Sequence, residues 1–315
     1  LDWLESRGYK PDSLGKTQVK ELIKTAKEPV KSVLEMRLQL SKSSVKKYTA
    51  MKQTACRDNR ARGMFSFYGA SRTGRWAGRN IQLQNLPQNH LEDLTEAREL
   101  VKTGSFDDVQ MIYDDVPDTL SQLIRTAFIP RQGMKFIVAD FSAIEARVIA
   151  WLADEQWVLD AFANNKDLYC ETASRMFGVP VEKHGINGEL RQKGKQCTLS
   201  CSYGGAKGAL IAMGAIDSGM KEDELQPLVI AWREANPNIV RFWHSLEQCA
   251  MKCIKEKTVT KTNRLTFSYE AGFLFIELPS GRRLAYAKPR IGENKFGGES
   301  ITYMGINAQK KWDRL

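Results

Sequence analysis

The stretch Lys135-Phe136-Ile137-Val138-Ala139-Asp140-Phe141-Ser142-Ala143-Ile144-Glu145-Ala146-Arg147 changes character at its single Asp. Ahead of Asp140, a mostly apolar run predicts a short buried strand over 135–139. Beyond it, Ile144, Val148, Ile149, Leu152 and Leu159 predict a helix over 143–162 with one apolar side. A carboxylate leaving a buried strand at the mouth of a helix is rigidly placed and partly exposed. Such a position suits a Mg²⁺ ligand, because hard cations take oxygen donors. Ser142-x-x-Glu145 also reads as a capping box, which requires no chemistry.

Outward from this junction, 1–30 reads as short helices around a turn at Tyr9-Lys10-Pro11-Asp12, and 30–55 as one long amphipathic helix or a pair. Residues 63–87 are Gly-rich, aromatic and basic, with Ile81, Leu83 and Leu86 spaced as in strand and loop. Residues 91–128 read as helical and acidic. On the other side come helices over about 168–177 and 189–203, the second broken by Gly204-Gly205. Residues 222–257 are mostly helical with an interruption at Asn236-Pro237. The alternation from Thr258 to Tyr286, around a Pro279-Ser280-Gly281 turn, predicts a small antiparallel sheet. No internal repeat occurs. The predicted class is α+β, mostly helical with small antiparallel sheets.

Composition narrows the function classes. With 315 residues, 42% hydrophobic and 27% charged, the chain can bury a sizeable core, which excludes wholesale disorder. No run approaches the ~18 apolar residues of a membrane-spanning helix, so no membrane partner is expected. The formal charge is +10, and 42–79 holds ten basic residues against Asp58 alone. So concentrated a charge favours a polyanionic partner. Six Cys without a CxxC, and three scattered His, point to reduced thiols in a cytoplasmic protein rather than a zinc site. The first residues, Leu1-Asp2-Trp3, read as a cut from something longer.

Two further stretches carry chemistry. Arg191, Lys195, Leu199 and Tyr203 recur every four residues, a slowly drifting helical stripe roughly 18 Å long. Two cations there suit phosphates, and an apolar and an aromatic residue suit a base and sugar; a solvated basic face running into core is the plainer alternative. Arg72-Thr73-Gly74-Arg75-Trp76-Ala77-Gly78-Arg79, then Leu83-Gln84-Asn85-Leu86-Pro87, reads as a phosphate- and groove-contacting loop or as a generic basic loop.

In this order the three elements resemble the family A DNA polymerases, the DNA polymerase I family, in wording closest to bacteriophage and prophage members. Asp140 to Arg147 looks like the family's first catalytic motif, and Arg191 to Gly204 like its fingers-helix motif. Arg75 falls at the Arg of its TGR segment. The resemblance implies a right-hand polymerase: end of thumb over 1–60, first part of palm over 61–146, fingers over 147–300, and the start of a return to palm over 301–315. It implies nucleotidyl transfer from a dNTP to a primer 3′-hydroxyl on primer–template DNA, with two Mg²⁺ ions (Mn²⁺ as a substitute). Asp140 and the Phe141 carbonyl would be metal ligands, and Arg191 and Lys195 would hold the triphosphate. Glu145, Leu199, Tyr203 and Gly204 would line the nucleotide, with Glu145 excluding a ribose 2′-hydroxyl. Arg72, Arg75, Arg79, Gln84 and Asn85 would contact DNA. Accessory replication proteins or a complementary polymerase chain would be further partners, and a bacterial host's cytoplasm the setting.

Departures from the family's wording carry their own expectations. Ala143 stands where Gln is usual, and Leu199 at a position usually aromatic, which predicts discrimination against dideoxynucleotides. No His-Asp-Glu occurs, so the carboxylate of the family's third motif is missing. The chain is thus expected to be a polymerase core truncated before that motif, weak or inactive alone. The alternatives are a non-catalytic DNA-binding remnant and half of a split polymerase. Tyr113-Asp114-Asp115 mimics a reverse-transcriptase metal motif but precedes Asp140, and a solvated loop accounts for it better. A single-subunit RNA polymerase is disfavoured by Glu145 and the TGR segment.

Overall fold

A computed structural model describes residues 1–40, 43–70, 73–294, 297–307, 309 and 311–315. It divides into two units, Leu1–Val138 and Ala139–Leu315. The class is α+β, and among the described residues no helix is long and apolar enough to cross a membrane.

The first unit begins with α1 (Asp2–Glu5), α2 (Lys16–Thr25), α3 (Val30–Leu40) and α4 (Ser43–Thr54), so the 30–55 segment is a pair of helices. Leu4, Val19, Val30 and Leu34 form one small core. An antiparallel ribbon of β1 (Phe65–Ala70) and β2 (Arg75–Gly78) follows. Where alternation suggested strand and loop, Leu83–Asn85 forms a 3-10 turn. Three helices, α5 (Leu94–Lys102), α6 (Phe106–Tyr113) and α7 (Val116–Leu123), complete the acidic segment. Met64, Ile81, Leu86 and Ile124 make the second core. Polar ties brace it: the Tyr48 hydroxyl donates to the Leu120 carbonyl at 2.9 Å, and Arg125 donates to the carbonyls of Leu86 and Pro87.

Two expectations at the opening stretch are corrected. Residues 135–139 form no strand, and Ile137 and Val138 are 86% and 91% exposed. A strand persists only when its backbone groups are paired, and no strand among the described residues pairs with this run. The helix start also falls one residue later than the capping box places it. Ala143, not Ser142, is the residue before α8 (Ile144–Ala153), and it takes a left-handed conformation (φ 49°).

The predicted helix over 143–162 is also two helices. Asp154 leaves the helical path in the left-handed region, which Asp tolerates, and α9 (Gln156–Ala163) starts beyond it. Between them Glu155, 4% exposed, accepts the Asn238 and Ile239 amides at the start of α14 (Pro237–Glu256). Burial pushes its carboxyl above the ordinary value, against the pull of those amides. On α8 the apolar residues serve two faces. Ile149 and Leu152 pack on the main core, whereas Ile144 and Val148 are each 43% exposed.

That core is built by α10 (Leu168–Phe177), α11 (Leu190–Cys201), α12 (Lys207–Ala212), α13 (Leu225–Ala235), α14 and one face of a sheet. Trp232, 2% exposed, stacks on Trp243 with ring centroids 6.0 Å apart. The sheet exceeds the expectation of a small one ending near Tyr286. It is a six-stranded antiparallel meander of β3 (Thr260–Thr262), β4 (Leu265–Glu270), β5 (Phe273–Glu277), β6 (Arg283–Glu293), β7 (Glu299–Ile306) and β8 (Trp312–Arg314). Pro289 is accommodated inside β6 because the register with β7 shifts between Ala287 and Arg290.

Candidate active site

Within the second unit, the turn ahead of α8, the α9–α10 connection and the start of α11 enclose an open cleft of about 360 Å³. Ser142, Ala143 and Arg147 line one side, Lys166, Asp167 and Tyr169 another, and Arg191 a third. Each cation is held. Arg147 donates to the Ser142 carbonyl at 2.9 Å and lies over the Phe162 ring at 3.8 Å. Lys166 pairs with Glu171 at 3.2 Å. Arg191 pairs with Asp167 at 2.8 Å and has the Tyr169 ring beneath it at 5.3 Å.

Asp167 occupies this place because it caps α10. Its Oδ1 accepts the Tyr169 and Cys170 amides at 3.0 and 3.1 Å, satisfying donors left unpaired at a helix start. Burial pushes the carboxyl up, but the Arg191 guanidinium and those amides more than offset it and hold it below the ordinary carboxylate value. The same Asp167 partnership raises the Arg191 guanidinium.

On α11, Arg191 and Lys195 are half-buried and Leu199 is 43% exposed. The helix ends at Cys201, so Tyr203 stands in the following turn, 65% exposed, with Gly204 beside it at φ 77°. The opposite face is buried, carrying Gly194, Cys197, Thr198 and Cys201. Gly194 matters most: a Cβ there would meet the Tyr169 carbonyl oxygen at 2.4 Å and Ala173 at 3.0 Å. Only glycine lets α10 and α11 approach this closely.

Asp140 and Glu145 are both exposed, Asp140 in the irregular segment two residues before Ser142 and Glu145 in the first turn of α8. Phe141 is 80% exposed. The Asp140 carboxylate and Phe141 carbonyl are the hard oxygens a Mg²⁺ ion takes, but they are two donors of the six it requires. Among the described residues no group of three or more His, Cys, Asp or Glu could hold a metal ion. The donor type fits, and a Mg²⁺ ion held by few protein oxygens completes its six ligands with waters and substrate phosphates.

The remaining DNA-facing candidates lie in the first unit. Arg75 opens β2, and Arg79 follows it with its amide bound to the Met64 carbonyl at 2.8 Å; both side chains are exposed. Gln84 lies across Gly78, where a Cβ would meet its amide at 2.2 Å, and Asn85 donates to Gln82 at 3.1 Å. Arg72 lies outside the described residues. The Tyr113-Asp114-Asp115 sequence is a helix-to-helix turn: Asp115 caps α7, and the Tyr113 hydroxyl, pushed up to about 12, donates to Asp93.

Sequence reasoning missed Lys166, Asp167, Tyr169 and Gly194. A cap signal for Asp167 was legible before the helix at 168–177, but nothing local ties it to a residue 24 positions away.

Known proteins resemble this chain over most of its length. A DNA polymerase of Bacillus phage SP02 is 53% identical over 316 residues, covering 99% of this chain and 49% of that one. The thermostable DNA polymerase I of Thermus aquaticus is 32% identical over 146 residues, covering 46% and 15%. The chain thus spans about half the length of the phage relative. The POL domain of Pol1 from M. smegmatis, solved in complex with DNA primer-template and dNTP, shares the fold at a TM-score of 0.54 and 19% identity, covering 86% of this chain and 38% of that one. Residues 6–271 match the sequence profile of DNA polymerase family A. With that match over most of its length, the chain belongs to DNA polymerase family A.

Proposed function

We propose that the chain carries the nucleotide-binding part of a template-directed DNA polymerase, which transfers a nucleotidyl group from a dNTP to a primer 3′-hydroxyl. One observation carries the reading: the turn after Asp140 and Arg191 at the start of α11 line one cleft together with Arg147 and Lys166. Arg191 and Lys195 would bind the triphosphate, as guanidinium and ammonium groups do in a partly desolvated site. Glu145 would crowd a ribose 2′ position, Leu199 the sugar, and Tyr203 with Gly204 the nascent base pair. Arg75 and Arg79, together with Arg72, Gln84 and Asn85, would grip primer–template DNA, positioning it through phosphates and groove edges. The division into thumb, palm and fingers, at the boundaries given above, belongs to the same proposal.

Asp140 and the Phe141 carbonyl would hold Mg²⁺, which when bound stabilises charge on the reacting phosphate oxygens. Because the donor set is partial, the 315-residue chain is expected to extend primers weakly or not at all alone. A non-catalytic DNA-binding remnant and one half of a split polymerase share that feature. Single-nucleotide primer extension by the full-length protein separates them, with deoxy and ribo triphosphates in competition. Templated extension that favours deoxynucleotides supports the polymerase reading; primer–template binding without extension supports the remnant.

Leu199 gives an independent check. The protein is expected to prefer deoxy over dideoxy substrates by roughly tenfold or more, and Leu199→Tyr to narrow that gap. Equal incorporation rates in the unaltered protein would refute this.

A further inference from the structure

We infer that Asp167 is a built-in anionic competitor for polyphosphate at Arg191, holding the guanidinium when the cleft is free, yielding it to a triphosphate and reclaiming it as pyrophosphate leaves. The inference rests on the nucleotide reading of the cleft and names a residue that reading does not use.

The geometry divides the carboxylate between two tasks. Oδ1 is anchored by the Tyr169 and Cys170 amides, at 3.0 and 3.1 Å. Oδ2 receives both Nε and Nη2 of Arg191, at 3.0 and 2.8 Å. Because the backbone holds the anchored oxygen, the carboxylate stays in place when the guanidinium swings away. Tyr169 adds a flat ring beneath the guanidinium at 5.3 Å, which supports a planar cation without neutralising it. Both side chains are about a quarter exposed, 24% for Arg191 and 28% for Asp167, so an incoming anion can reach the pair. They are also sheltered enough for the attraction to exceed that of a surface pair.

Arg147 and Lys166 line the same cleft, so an arriving polyphosphate meets three cations and one fixed anion. A polyphosphate that engages Arg191 must displace or crowd the Asp167 oxygen. The fixed negative charge therefore weakens every polyanion at this site and favours release of the leaving group.

Calorimetric titration of the full-length protein with inorganic tripolyphosphate, and separately with pyrophosphate, tests this without DNA or catalysis. Two variants keep a helix cap while removing the charge. Asp167→Asn retains the shape and is among the best caps, and Asp167→Ser caps but is too short to reach Arg191. Both are expected to bind either anion about five- to tenfold more tightly than the unaltered protein. Arg191→Ala is expected to bind weakly, and adding Asp167→Ser to it should recover less than the same change gains in the unaltered protein, because only repulsion from the cleft remains once the competitor has lost its target. Unchanged or weaker binding in both Asp167 variants overturns the inference, as does an equal gain on the Arg191→Ala background. Absence of binding in all forms also overturns it, while leaving the polymerase reading to stand on primer extension. Tighter binding in a protein that extends no primer upholds the competitor and sinks the polymerase.

Discussion

Replacing Asp140 with Ala in the full-length protein is expected to lower single-nucleotide primer extension by on the order of a thousandfold or more. Loss of a metal-binding carboxylate removes several kcal/mol of charge stabilisation from the reacting phosphate, and each ~1.4 kcal/mol is tenfold in rate. Primer–template affinity should stay within about twofold, because Asp140 is an anion and is not one of the basic residues that would grip DNA. The fold should survive, since substitutions at exposed positions usually change stability by no more than ~0.5 kcal/mol. Asp140→Asn is the stricter version: it keeps the shape and removes the charge, and it should fail as badly. Extension within tenfold of the unaltered protein, by either variant, would remove Asp140 from the catalytic machinery.

The second large effect belongs to a residue that bears no functional group. Gly194→Val is expected to destabilise the second unit by about 3 kcal/mol, the upper end of ordinary overpacking. Even the Cβ would stand 2.4 Å from the Tyr169 carbonyl oxygen, with Ala173 at 3.0 Å, and neither backbone can yield without separating α10 from α11. Gly194→Ala makes the argument sharp. In an open helix it would stabilise by roughly 0.5–1 kcal/mol, by restricting the unfolded chain and improving helix propensity. Here the sign should reverse. Denaturant midpoints measure both variants, and a more stable Gly194→Ala would mean that the two helices do not meet this closely. Since Asp167 caps α10 and Arg191 opens α11, the separation should also loosen the pair that lines the cleft.

Particular residues show why some elements were legible and others were not. The helix expected over about 168–177 has those limits in the structure, where Asp167 caps its start and Gly178, in the left-handed region, ends it. The helix expected to run through 162 was overrun at Asp154, where no Gly or Pro marks the break. A contact 83 residues distant, from Glu155 to the start of α14, holds that break in place. Residues 135–139 have strand composition and no strand, because composition supplies side chains for a sheet but not the neighbouring backbone that pairs with it. Ile144 and Val148 show the same limit: helical spacing says which residues share a face, not whether that face is covered.

What the sequence determined alone was the family, the α+β class and the approximate course of helices such as 168–177, and it singled out Arg191 and Lys195 as candidate cations. These rest on ordered motifs and on periodicity, both properties of short stretches that survive without knowledge of their neighbours. Only the tertiary structure decided that Arg191 faces Asp167 rather than solvent, that Arg147 and Lys166 join them around one cleft, and that Gly194 is the point where α10 and α11 touch. The physical reason is common to all three. A charge pair or a close helix crossing joins residues far apart in the chain, and its energy depends on distances of a few ångströms that packing sets and local pattern does not record.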